Sequence, residues 1–115
     1  MNGRISPMPL SLVFETANSH AKEIDWDRSL TTIATQVALV SVGLPVEPMQ
    51  HPAFDTPEYD EYAETYDRVA RVLHAIHADG FFPAFVEGFQ PGGRLGYSLS
   101  IARRYAAFLD AGNSY

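Results

Sequence analysis

One apolar seam constrains the fold more than any other feature of the chain. Tyr59, Tyr62, Tyr66, Val69, Leu73 and Ile76 recur at intervals of 3, 4, 3, 4 and 3. Only an α-helix lines up side chains so spaced, because its backbone turns about 100° per residue. Asp55 or Thr56 is placed to cap this helix, Pro57 has the fixed φ of a first turn, and Gly80 stands just past its end. A second seam, Trp26, Leu30, Ile33, Val37, Val40 and Leu44, runs at 4, 3, 4, 3 and 4. It predicts a helix from about residue 19 to 42, closed by Gly43 ahead of Pro45. Residues 45–57 between the two carry four prolines, which makes an extended, stiff connector long enough for antiparallel packing of seam on seam.

Elsewhere the period shortens. Leu10, Leu12 and Phe14 alternate with Ser11 and Glu15, with Val13 out of step, and suggest a short strand. Residues 81–87, with Pro83 marking an edge, suggest another, and the glycines of residues 88–96 supply turn chemistry. Tyr97, Leu99 and Ile101 alternate with serines as a third strand, followed by a terminal helix closed by Gly112. A single helix over residues 98–111 competes with that last assignment, since Leu99, Ala102, Ala106 and Leu109 share a helical face. The expected fold is therefore α+β: two amphipathic helices packed antiparallel, a small antiparallel sheet and a short C-terminal helix. At 115 residues, 46% hydrophobic, one domain spanning residues 1–115 is expected.

Charge limits the partners. The net charge is -6 and Lys22 is the only lysine beside seven arginines, a balance that disfavours nucleic acid or an anionic membrane and suits a basic protein surface. No cysteine is present, which removes thiol catalysis, disulfides and thiolate zinc sites and is compatible with the cytoplasm. The first fourteen residues have one arginine and an apolar patch broken by Pro7 and Pro9, so no signal peptide is expected there. The longest mostly apolar stretch, residues 33–46, is shorter than the roughly 20 residues a membrane span requires.

Few residues suggest chemistry. His74 and His77 lie three apart on the second helix with Asp79 close by, the makings of a metal site that lacks any HExxH-like frame. "PGGRLG" could offer amides and Arg94 to a phosphate, but it has neither the lysine nor the hydroxyl of a P-loop and fits a turn better. Ser98 and Ser100 have no base paired with them in sequence, and Arg103 and Arg104 suit the negative end of the last helix. No cofactor motif and no catalytic residue set emerges.

The second helix remains the candidate site. Helical projection sets Asp60, Glu64 and Asp67 opposite the seam. Glu58, Asp60, Glu61, Glu64 and Asp67 against Arg68 and Arg71 leave a local charge of -3, half that of the whole chain. Glu64 with Arg68 and Asp67 with Arg71 have the i, i+4 spacing of favourable pairs. Tyr59, Tyr62 and Tyr66 stand where leucine would bury at lower polar cost, which suggests a groove mouth or a protein contact. These residues point to a small acidic module that binds a basic protein partner and could inhibit a nucleic-acid-handling target. Anti-CRISPR proteins and DNA mimics of phages and mobile elements share that general build, a likeness of class and not of motif. A metal-dependent enzyme using His74, His77 and Asp79, and a homodimer holding a small ligand between helices, are the alternatives.

Overall fold

The computed structural model describes residues 8–47 and 50–113. The expected absence of a signal peptide concerns residues outside this range in part, as does the connector at residues 48 and 49. Five α-helices and no strand are found among the described residues: α1 Leu10–Ser19, α2 Leu30–Ser41, α3 Pro57–Ala78, α4 Phe82–Gly88 and α5 Leu95–Asp110, with one 3₁₀ turn at Ala21–Glu23. None of them is long and apolar enough to cross a membrane.

The α+β expectation is thus overturned at all three predicted strands. In α1, Val13 is not an interruption of alternation; with Leu10, Phe14 and Ala17 it forms a fully buried stripe at helical spacing. In α4, Pro83 falls in the first turn, where its missing N–H is not needed. Residues 97–101 belong to α5, whose buried stripe is Ser98, Ile101, Ala102, Tyr105 and Ala106, close to the competing helical assignment. Over five residues a two-residue and a 3.6-residue period look alike, and the packing decides between them.

The helix expected over residues 19–42 begins only at Leu30. Asp25 turns the chain first: its carboxylate accepts from the Asp27 N–H (3.3 Å) and Arg28 Nε (2.8 Å), while its own N–H goes to the buried Gln36 Oε1 (2.7 Å). Ser29 then caps α2 by accepting from the Thr32 N–H. Trp26 keeps its seam spacing by coincidence. It lies in the linker, its indole N–H donates to the Ala21 carbonyl (3.1 Å), and its ring stacks on Phe89 at 4.1 Å with planes 10° apart. Phe85 meets both Trp26 and Phe14 edge-on, so one aromatic cluster joins the linker, α1 and α4.

α3 is the longest helix and packs against α2, α4 and α5, while α1 packs on α2 and α5. Its start is capped by Thr56 Oγ1, which accepts from the Tyr59 N–H. Its end closes as a Schellman turn: the Phe81 N–H reaches the Ile76 carbonyl and the Gly80 N–H reaches that of His77, with Gly80 at φ 84°. α1 is tied down by a charged group from the far end of the chain. Asp110 accepts from the Leu10 N–H (3.2 Å) and pairs with Arg68 (3.0 Å), whose other nitrogen donates to the Met8 carbonyl (2.6 Å).

α4 and α5 approach closely through Gly88 and Ser98. The Phe89 N–H turns to the Val86 carbonyl, and the buried Ser98 hydroxyl donates to the carbonyl of Phe85 at 2.6 Å. A Cβ at Gly88 would stand 1.7 Å from Ser98 Oγ and 2.8 Å from the Arg94 carbonyl oxygen, whereas one at Gly96 would meet nothing within 4 Å. Gly88→Ala should therefore cost about 1–3 kcal/mol and Gly96→Ala should stabilise by up to about 1 kcal/mol, compared by urea unfolding. Equal effects of the two substitutions would contradict this contact.

Candidate functional site

The inner face of α3 buries Tyr62, Thr65, Val69, Val72, Leu73, Ala75 and Ile76, so the expected seam continues into the core through its second half. Its first half behaves differently. Tyr62 is buried at 8% exposure, whereas Tyr59 and Tyr66 are only half-buried. The three rings form a ladder, with centroids 6.1 Å apart from Tyr59 to Tyr62 and again from Tyr62 to Tyr66.

The proline-rich connector covers the mouth of that ladder. His51 lies 5.4 Å from Tyr59 and 6.0 Å from Tyr62, and Phe54 lies 4.9 Å from both His51 and Tyr59. Phe54 nonetheless remains 71% exposed, the most open large apolar side chain among the described residues. The aromatic stack thus runs from the core at Tyr62 to solvent at Phe54. Burial raises the Tyr62 phenol above its ordinary value of 10.0, with smaller upward contributions from Tyr66 and Tyr59, and a hydrogen bond with Thr35 of α2 opposes the shift.

Around this lip Asp60 and Asp67 face solvent as the helical projection expects, whereas Glu64, expected beside them, does not lie fully open. Glu58, Asp60, Glu61 and Asp67 are exposed and Glu64 is half-buried. Asp67 pairs with Arg71 at 3.0 Å, both well solvated, an interaction worth about 0.3–0.5 kcal/mol. Arg68 turns instead to Asp110 and Met8, so the expected Glu64 partner is engaged in holding α1 and α5.

The other sequence candidates are dispersed. His74 and His77 are both exposed, His77 with its ring 5.8 Å from Phe82, and Asp79 accepts a hydrogen bond from the Tyr105 hydroxyl. Among the described residues no group of three histidines or carboxylates is placed to hold a metal ion. Ser98 is locked between α4 and α5, Ser100 donates to the Tyr97 carbonyl, and Arg103 lies 3.9 Å from Glu15. "PGGRLG" connects two helices and is not a hairpin, with Gly92 at φ 81°.

Sequence reasoning missed a cleft of about 130 Å³ lined by Phe81, Tyr97, Ser100, Ile101, Arg104 and Tyr105. Its signal lay in the spacing of residues 97, 100, 101, 104 and 105, which share one helical face once α5 is recognised as continuous. Comparison of the chain with family models, curated proteins and solved structures yields no match.

The graded burial of the ladder separates fold from surface. Tyr62→Ala should cost about 3 kcal/mol in urea unfolding, while Phe54→Ala should cost less than about 0.5 kcal/mol. Equal losses would contradict the gradient. With pH the sign follows from the raised native value: below 10.0 the phenol is neutral in both states, and above it the unfolded chain ionises first. Stability is then lost as pH rises towards the native value, and Tyr62→Phe should lose less over the same alkaline range.

Proposed function

We propose that the chain is a small acidic protein-binding module whose contact surface is the N-terminal half of α3 with the lip of its connector. The supporting observation is Phe54, 71% exposed while its ring meets His51 at a tilt and Tyr59 edge-on, close in sequence to the exposed carboxylates of Glu58, Asp60 and Glu61. An apolar anchor inside a polar rim is the anatomy of a protein interface, where aromatic residues supply much of the affinity. The ladder anchors the ring from below and lowers the entropy lost when a partner covers it.

The partner that fits has an apolar socket ringed by lysine and arginine. Six of the chain's fourteen acids, Asp55, Glu58, Asp60, Glu61, Glu64 and Asp67, fall within residues 55–67, which contain no cation. Such a charge pattern steers encounter with a basic surface and sets specificity more than affinity. Basic surfaces of this kind are characteristic of nucleic-acid-handling proteins, so inhibition by occupying the phosphate-binding face is the mode of action we assign, in the cytoplasm. Tyr59 and Tyr66 flank the contact, and Tyr62 supports it from within.

The test compares proteins captured from the native host by the full chain, by Phe54→Ala and by the combined Glu58→Gln, Asp60→Asn, Glu61→Gln and Asp67→Asn variant. A basic partner should be retained by the native chain at low salt, lost by both variants, and released as the Debye length falls from about 10 Å to about 3 Å. Capture that survives neutralisation of the carboxylates, or a stable self-dimer closed over Phe54, would overturn the assignment.

A further inference from the structure

The cleft between α5 and the α3 to α4 turn lies beyond the opposite end of α3 from the acidic lip. Its lining has a definite chemistry. Phe81 and Tyr97 form its rim at 41% and 43% exposure, while Ile101 and Tyr105 are buried beneath. Two of the five large apolar side chains left exposed among the described residues therefore converge on one small depression. Tyr105 is fixed by its hydroxyl bond to Asp79, and the Ser100 hydroxyl is engaged with the Tyr97 carbonyl, so the walls are held in place by the fold.

Arg104 is the one charged residue lining this cleft, and among the described residues it forms no ion pair. Arg94, outside the lining itself, stands 5.8 Å from the centroid of the Tyr97 ring. With Arg103, three of the chain's eight cations fall within residues 94–104, in a molecule whose net charge is -6. An arginine at an apolar recess is suited to a carboxylate, which it can hold through two parallel hydrogen bonds. The volume sets the size of the rest of the ligand. About 130 Å³ is close to the cavity of roughly 150 Å³ that takes up one benzene ring, and too small for a nucleotide.

We propose that this cleft binds a free single-ring aromatic carboxylate, its ring between Phe81, Tyr97 and Tyr105 and its carboxylate on Arg104. The site is distinct from the acidic contact surface and does not depend on it. The aromatic walls supply offset and edge contacts to the ring, and the buried Ile101 supplies an apolar floor. Charge supplies the selection: a neutral amide of the same shape keeps the ring contacts and loses the ion pair.

The experiment titrates the full chain with benzoate and phenylacetate, with benzamide as the uncharged control, following backbone amide shifts by NMR. Binding should saturate with a Kd of about 0.1–1 mM, with shifts centred on Tyr97, Ser100 and Arg104. Benzamide should bind at least about tenfold more weakly, and Arg104→Gln should weaken benzoate by a similar factor while leaving the circular dichroism spectrum and urea midpoint unchanged. Tyr97→Ala, at an exposed position, provides a second variant and should also weaken both acids. Shifts that fail to saturate by about 10 mM, equal binding of benzamide, or unchanged affinity in Arg104→Gln would each overturn the proposal.

Discussion

Burial of the inner face of α3 is the constraint on which the rest of the molecule depends. Val69, Val72, Leu73 and Ile76 are all at 0% exposure, and each such side chain contributes about 1.5–3 kcal/mol when withdrawn from water. Because that face is committed to α2, α4 and α5, helical geometry leaves the acids on the other side no alternative to solvent. The same rotation that builds the core therefore builds the charged surface. The tyrosine ladder lies at the transition: Tyr62 belongs to the core and reaches Thr35, whereas Tyr59 hands the stack to Phe54 and His51.

A second constraint closes the fold. Arg68 leaves the helix surface to join Asp110 and the Met8 carbonyl, which brings the start of α1, the middle of α3 and the end of α5 together at one half-buried point. Residues 55–67 at the start of α3 carry no cation of their own, while Arg104 lines the far cleft and Arg94 stands over the ring of Tyr97 at its rim. One small domain thus presents an acidic aromatic lip and a basic aromatic recess on separate surfaces.

α3 was legible in the sequence because every local signal agreed: Asp55 or Thr56 as cap, of which the structure uses Thr56, Pro57 in the first turn, an unbroken period and Gly80 after it. The exposed acids were legible for the same reason, since their placement needs only the phase of that helix. The strands were misassigned where windows were short and apolar residues dense. Val13 and Ser98 carried the correction, but Ser98 could be recognised as buried only through the Phe85 carbonyl on another helix. Trp26 fitted a helical seam by chance, and the Asp25 and Gln36 contact that removes it from the helix spans eleven residues. The lid over the ladder could not be read from the connector, because four prolines specify stiffness and not the direction in which Phe54 points.

The ladder is anchored in the core at Tyr62 and reaches solvent at its other end, beside the rings of His51 and Phe54. Nuclear Overhauser contacts among aromatic protons test it most directly. Cross-peaks are expected from Phe54 and His51 to Tyr59, from His51 to Tyr62, and from Tyr62 to the Thr35 methyl, together with free solvent access to the outer edge of Phe54. Cross-peaks placing Phe54 inside the core, or none between the connector and the tyrosines, would contradict it.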